Sequence, residues 1–181
     1  QREMKKVTCV HKSNVMKKTD GLFARTCSKV ANNFSGVKFE EMYVDACAMN
    51  LIRQPQSFDV IVTTNLFGDI LSDESSQVVG GLGMAPAANI GDNFGLFEPV
   101  HGAAFDIAGK EIANPTSFIL SIKMMLEWLG NKNDDQNSSN AARILEDTVL
   151  SIVKSGVATK DIGGTMSTRE FTKEITNRLS D

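Results

Sequence analysis

Neither a long apolar run nor an excess of one charge occurs in this sequence. No apolar stretch approaches the ~18 residues that a membrane helix needs, and the beginning, QREMKKVTCV, lacks the apolar centre of a signal peptide. The 19 basic and 22 acidic residues are spread along the chain, so no basic stripe favours nucleic acid or anionic lipid. We therefore expect a cytosolic or organellar protein, most simply cytoplasmic, that binds neither membranes nor nucleic acids.

Cysteine is also scarce, and its number is odd. Cys9, Cys27 and Cys47 lie inside apolar-patterned segments, which predicts reduced, buried thiols that fill the core rather than disulfides or a metal cluster. The 181 residues, 41% of them apolar, are enough to bury a core in one large domain or two small ones.

Strands and helices alternate in the first part of the chain. Apolar runs at 7–11, 37–44 and 58–64 predict strands, and the last has the near-continuous apolar character of a parallel strand covered on both faces. A helix is predicted after Asp20, which we expect to cap it, and another at 46–53. This alternation predicts an α/β fold. Because nothing precedes the first strand to pair with it, we also expect the chain to be part of a longer protein.

The second part of the chain is predicted to be mostly helical around one long loop. A helix is expected from Asp69, whereas 84–115 is rich in Gly, Ala, Pro and Asn and is predicted to be a binding loop. After a helix, the polar residues 131–140 predict a surface turn. Another amphipathic helix follows, and Ser167 and Glu170 have the spacing of a capping box at the start of the last helix.

Two carboxylates, Asp69 and Asp73, are four residues apart at the predicted start of a helix. This spacing places their β-carbons about 5–6 Å apart on one face, so that both can reach one ion. Like charges so placed repel each other, and a hard cation such as Mg²⁺ or Mn²⁺ relieves that repulsion. The alternative is that both residues merely cap the helix and keep it soluble.

Polar residues follow two of the predicted strands. Lys12, in the segment HKSN with Asn14, stands at the exit of the first strand, where α/β sheets usually hold their ligands. Asp45, in the segment YVDA, ends the second strand. Alone, the lysine would be read as a surface residue and the aspartate as an ordinary helix cap.

The segment EPVHGAAFDIAGKEIANP supplies small residues and polar groups together. Its glycines and alanines let backbone approach a flat or phosphorylated ligand, and His101, Asp106 and Asn114 offer groups for phosphate, ribose hydroxyls and an adenine edge. No Rossmann fingerprint accompanies this segment. The glycines at 80, 81 and 83, which precede it, follow a predicted helix rather than a strand.

In this order, the segments HKSN, YVDA, NLFGDILSD and EPVHGAAFDIAGKEIANP resemble the β-decarboxylating dehydrogenases, the family of 3-isopropylmalate, isocitrate and homoisocitrate dehydrogenases. The resemblance covers Val7 to Leu179. It implies the C-terminal part of that family's three-layer α/β fold, which would be incomplete here. Residues 1–79 would belong to the small, dimer-forming domain with the metal and catalytic residues, and 80–181 to the large domain with the NAD-binding loop.

The resemblance also implies roles for single residues. The metal ligands would be Asp69 and Asp73, with Asp45 contributed across the dimer interface, where Lys12 acts as the catalytic lysine beside Asp45 in the neighbour's site. The coenzyme contacts implied run from the nicotinamide to the adenine: Asn14, Glu98, His101, Gly102, Ala103, Ala104, Asp106 and Asn114. Because a carboxylate at Asp106 accepts hydrogen bonds from ribose hydroxyls and repels a 2′-phosphate, NAD is implied rather than NADP.

The implied reaction is the oxidative decarboxylation of a 3-substituted malate with NAD and Mg²⁺ or Mn²⁺. We expect 3-isopropylmalate, and hence a role in leucine biosynthesis, with isocitrate or homoisocitrate as alternatives. The rivals are a non-catalytic regulatory subunit of the family and a non-enzymatic α/β binding module. The expected partners are a second copy of the protein and its N-terminal half, without which we expect this chain to be inactive. Ala103, Phe105 and Glu111 depart from the family pattern GSAPDIAGKGIANP.

Overall fold

The computed structural model describes residues 3–180. The chain divides into two compact units, Gln1–Val78 and Val79–Asp181. Six α-helices, a parallel sheet and a hairpin make up the described residues, which confirms the predicted α/β class. Within this range, no helix is both long and apolar enough to cross a membrane.

The first unit is built on three parallel strands with helices between them. The strands are β1 (Lys6–His11), β2 (Lys38–Tyr43) and β3 (Val60–Thr63), in the order β2-β1-β3. The helices are α1 (Thr19–Ala31), α2 (Val44–Arg53) and α3 (Asn65–Val78). The observed alternation of strands and helices confirms the prediction, and it is the arrangement that crossover connections between parallel strands require.

The sheet of this unit has helices on both faces. Val10 of β1 packs with Cys47 and Leu51 of α2 and with Leu71 of α3, forming the core on one face. On the other face, α1 and the sheet border an apolar groove of about 440 Å³, to which Cys27 contributes. Three layers result, because successive residues of a strand point to opposite faces.

Two of the three cysteines are as buried as predicted. Cys9 and Cys47 are inaccessible, and burial raises the pKa of the Cys9 thiol to about 12 and that of Cys47 to about 11. Cys27 is only partly buried. All three are free thiols.

Two predicted helix starts are wrong. Asp20 does not cap α1: the helix begins at Thr19, and the buried carboxylate instead accepts a hydrogen bond from the backbone N–H of Lys12, at 2.7 Å. The helix α3 begins at Asn65, since the N–H of Gly68 already donates to the carbonyl of Thr64 at 2.8 Å. Asp69 therefore lies inside the helix, beyond the first turn in which the helix dipole stabilises a carboxylate.

The second unit combines a hairpin with three helices. Its strands are β4 (Pro86–Ile90) and β5 (Gly95–Pro99), which are antiparallel. Its helices are α4 (Thr116–Asn133), α5 (Gln136–Lys154) and α6 (Thr168–Ser180). Val149 and Ile152 of α5 pack against Phe171 and Ile175 of α6 in its core.

The structure corrects two predictions in this unit and confirms a third. Residues 84–115 are not one loop, because they contain the hairpin, and 131–140 are mostly helical, with Asp134 in a left-handed conformation between α4 and α5. The capping box is confirmed: Glu170 accepts from the backbone N–H of Ser167 at 2.9 Å, and Ser167 accepts from the N–H of Glu170 at 3.2 Å.

The hairpin packs on a helix face made of small hydroxyl residues. Ser117 and Ser121 of α4 are buried; the Ser117 hydroxyl donates to the carbonyl of Ala85, and that of Ser121 donates to the carbonyl of Ser117 at 2.8 Å. The rings of Phe97 on β5 and Trp128 on α4 also meet, with centroids 5.9 Å apart. The Ser117–Ala85 hydrogen bond, next to β4, and the ring contact therefore hold the hairpin to α4.

Candidate active site

Lys12 and Asp45 meet where two parallel strands end. The register pairs His11 at the end of β1 with Tyr43 at the end of β2, so the residues that follow emerge at one edge of the sheet. The Lys12 ammonium and the Asp45 carboxylate form an ion pair, and the ammonium also lies 5.7 Å from the centre of the Tyr43 ring. The hydrogen bond from Lys12 holds the pKa of Asp45 below its ordinary value.

Asp45 is not the cap of its helix. The capping position of α2 belongs to Tyr43, so the carboxylate of Asp45 serves Lys12 and remains 67% exposed. Lys12 itself is fixed by the turn after β1, in which its carbonyl accepts from the N–H groups of Val15 and Met16 at 2.9 and 2.8 Å. Asn14 lies exposed in the same turn. The pair therefore faces solvent on a well-anchored backbone.

Asp69 and Asp73 lie on the exposed side of α3, one helical turn apart. The backbone carbonyls of the two residues accept bonds from Ser72 and Ser76, at 3.2 and 2.7 Å. Carboxylate oxygens so placed suit Mg²⁺ or Mn²⁺, which take oxygen ligands and often use only one or two protein carboxylates. Within residues 3–180, no three His, Cys, Asp or Glu side chains form a metal cluster.

The second unit holds a cavity of about 800 Å³, a volume typical of ligand sites. Five of the predicted coenzyme contacts line it: His101, Gly102, Ala103, Ala104 and Asn114. Glu98, on β5, and Asp106, in the short 3-10 turn Phe105–Ile107, are exposed residues that do not line it. The walls are mostly small and apolar, which suits a flat ligand approached by backbone.

Asn114 is held at the cavity wall by both ends of its amide. Its Oδ1 accepts from the N–H of Thr116 and its Nδ2 donates to Asp161, both at 3.0 Å. Asp161 accepts a second bond from the hydroxyl of Thr159 at 2.6 Å. Gly83 faces this pair so closely that an added β-carbon would lie 2.9 Å from Asn114 Cβ and from Asp161 Oδ2. Its Nδ2 also donates to the sulfur of Met84 at 3.5 Å, so both amide hydrogens are engaged and the side chain is fixed at the wall.

Asp161, Thr168 and Arg169 also line the cavity, and the sequence did not point to them. All three lie about 50 residues after the predicted coenzyme segment, so no local spacing links them to it. The capping box at Ser167 was the available signal, because it places Thr168 and Arg169 in the first turn of a helix.

The family model for isocitrate/isopropylmalate dehydrogenase matches residues 1–177. A 3-isopropylmalate dehydrogenase of Sulfurisphaera tokodaii is 56% identical over 179 residues, which are 98% of this chain and 52% of that protein. An isocitrate/homoisocitrate dehydrogenase of Thermus thermophilus is 49% identical over 178 residues, or 98% of this chain and 51% of that protein.

Solved structures show the same fold. The crystal structure of isocitrate dehydrogenase from Methylococcus capsulatus matches with a TM-score of 0.89 and 44% identity, covering 97% of this chain and 51% of that one. The chain thus spans about half the length of the relatives that it matches. The segments around Lys12, Asp45, Asp69 and Asn114 lie within the matched range. The chain belongs to the isocitrate/isopropylmalate dehydrogenase family.

Proposed function

We propose that the protein containing this chain catalyses the NAD-dependent oxidative decarboxylation of a 3-substituted malate, with 3-isopropylmalate as the substrate. The observation that carries the proposal is the Lys12–Asp45 pair at the sheet edge, in a chain with uncommitted carboxylates at Asp69 and Asp73. Relatives named 3-isopropylmalate dehydrogenase, more than half identical, support the substrate. We infer a role in leucine biosynthesis from that substrate.

The chain's own residues suggest a division of labour. Asp69 and Asp73, with Asp45 from a second copy, would hold Mg²⁺ or Mn²⁺, which when bound supplies Lewis-acid chemistry at the 2-hydroxyl of the substrate. Lys12, acting from that second copy as the neutral amine, would take up the hydroxyl proton at its Nζ, and Asp45 would keep the amine in position. Once hydride has left C2 for the coenzyme, the 3-carboxylate of the keto acid would leave as CO₂. Its bonding electron pair would pass to the carbonyl to give an enolate, which then takes up a proton at C3.

The cavity of the second unit is proposed to hold NAD, which when bound accepts the hydride. His101, Gly102, Ala103 and Ala104 would lie along the diphosphate and adenine, where the glycine and the two alanines permit close approach. Asn114 would lie at the adenine edge. Outside the cavity, we assign Glu98 and Asn14 to the nicotinamide side and Asp106 to the adenosine ribose.

Calorimetric titration of the full-length protein with Mn²⁺ and with NADH tests both sites. We expect Asp69→Asn to abolish the Mn²⁺ response, whereas Asp147→Asn, which removes an exposed carboxylate on α5, should leave it unchanged. We expect Lys12→Met to abolish turnover while NADH still binds, with the exposed Lys18→Met as its control. A Mn²⁺ response that Asp69→Asn leaves unchanged would contradict the metal site, and turnover by Lys12→Met would contradict the catalytic role of Lys12.

Mixing the two inactive variants tests the shared site. If Lys12 acts in the neighbour's site, a dimer of one Lys12→Met and one Asp69→Asn subunit contains one intact site and one with both defects. Random mixing should then restore about a quarter of the wild-type activity, since half of the dimers are mixed. A site built within one chain predicts no recovery, and that result would contradict the dimer proposal.

Isocitrate or homoisocitrate is the second candidate substrate, because relatives of both names are 47–49% identical to this chain. The ratio of kcat/KM for 3-isopropylmalate to that for each alternative decides between them. The regulatory-subunit alternative predicts no turnover of any of these, although it offers no reason to keep Lys12, Asp45, Asp69 and Asp73 together.

A further inference from the structure

An ion pair without an assigned role lies at the wall of the cavity proposed to hold the coenzyme. Arg169, in the first turn of α6, donates from Nη2 to Glu111 Oε1 at 2.7 Å, and both residues line the cavity. Among the described residues that line it, Arg169 supplies the one guanidinium, and none supplies a lysine ammonium. The charge of this guanidinium therefore matters to any anionic group that enters.

Stability does not explain this pair. The side chains of Arg169 and Glu111 are 81% and 50% exposed, and ion pairs so exposed contribute little to folding. Glu111 also has a φ of 52°, a left-handed backbone conformation that disfavours glutamate and suits glycine, the residue common in the family pattern at this point. A glutamate kept there at a conformational cost points to a role for its charge.

The backbone around Glu111 is fixed, so the pair has a defined place. The carbonyl of Glu111 accepts from the N–H of Thr168 at 2.8 Å, and the Thr168 hydroxyl donates to the carbonyl of Ala113 at 2.5 Å. These bonds join the loop to the start of α6. The loop connects Asp106 to Asn114, the residues proposed to contact the adenosine ribose and the adenine.

We propose that Glu111 acts as a specificity-determining residue that ties up Arg169 and thereby keeps a 2′-phosphorylated coenzyme out of this cavity. The assignment rests on the proposed NAD-binding function. Arg169 would otherwise offer a guanidinium, the group best suited to a phosphate, at the loop that joins the residues assigned to the adenosine ribose and to the adenine. Glu111 neutralises that guanidinium and adds a carboxylate that repels the phosphate.

Fluorescence titration of the full-length protein with NADH and NADPH tests the proposal by the ratio of the two affinities. Glu111→Gln removes the charge and nearly preserves the shape, and Glu111→Gly also relieves the backbone. In both variants we expect the affinity for NADPH relative to NADH to rise about tenfold, the typical worth of a charge-assisted hydrogen bond. The gain should shrink as salt is added.

The double variant Glu111→Gln/Arg169→Gln separates the two parts of the idea. If Arg169 receives the phosphate, the gain disappears in the double variant. No gain in either single variant, or a gain that survives the loss of Arg169, overturns the proposal while NADH binding by the wild type keeps the proposed function intact. A wild type that binds neither coenzyme overturns the proposed function and this assignment with it.

Discussion

Gly83 lies where no β-carbon fits, so Gly83→Ala measures how tightly Asn114 and Asp161 are held. The added carbon would be 2.9 Å from Asn114 Cβ and from Asp161 Oδ2, compared with 3.4–4 Å for an ordinary contact. Neither neighbour can yield freely: Asn114 is bonded at both ends of its amide, and Asp161 is bonded to Thr159. Overpacking of this kind costs about 1–3 kcal/mol.

Gly102→Ala is the matched control. Gly102 lines the same cavity, but a β-carbon there has nothing within 4 Å. Urea unfolding should therefore show a loss of about 1–3 kcal/mol for Gly83→Ala and a change within about 0.5 kcal/mol for Gly102→Ala. NADH titration should show weaker binding for Gly102→Ala, since the new methyl group stands where the diphosphate is proposed to lie. Equal stability of the two variants would refute the packing argument.

Three further outcomes follow from single contacts. A thiol reagent should label Cys27 of the native protein well before the two buried cysteines, whose thiols have raised pKa values; labelling of all three at one rate would contradict the observed burial. Ser167→Ala should lower the free energy of unfolding, measured with urea, by about 1 kcal/mol, and an unchanged value would show that the capping box does not stabilise the protein. The hydrogen bond from Thr8, together with Lys6, holds the pKa of the Glu40 carboxyl below its ordinary value. The ionised carboxylate therefore stabilises the fold fully above the pKa of the unfolded state, and this stabilisation is lost as pH falls through the lower pKa of the folded state. Glu40→Gln should therefore lose less stability than the wild type on acidification, and parallel urea titrations at each pH compare them.

Local chemistry was enough to predict the parts of the fold that short spacings determine. The Ser167–Glu170 box involves groups three residues apart, and the structure confirms it. The apolar run of β3 likewise predicted a parallel strand, and β3 pairs in parallel with β1. Asp20 shows the limit: its carboxylate is taken by the backbone of Lys12, eight residues earlier, and a local capping rule does not include that partner.

Contacts between distant segments account for the remaining errors. The hairpin β4–β5 has few β-branched residues and is stabilised by packing on α4, about 30 residues later, so its own composition suggested a loop. At the candidate site, Lys12 and Asp45 were predicted from strand ends, which a parallel sheet brings to one edge. Asp161 and Arg169 were not, because only the folded second unit brings them to the segment that contains Asn114.

The serine face of α4 acts as a spacer of fixed thickness. The Ser117 hydroxyl donates to the carbonyl of Ala85 and that of Ser121 to a carbonyl of its own helix, so both are satisfied and the face adds little width to the helix. The distance between α4 and the hairpin is thus set by side chains of two heavy atoms. A single extra methylene there would shift the hairpin outward and carry Glu98 with it, so that a serine remote from any ligand controls where the end of β5 stands.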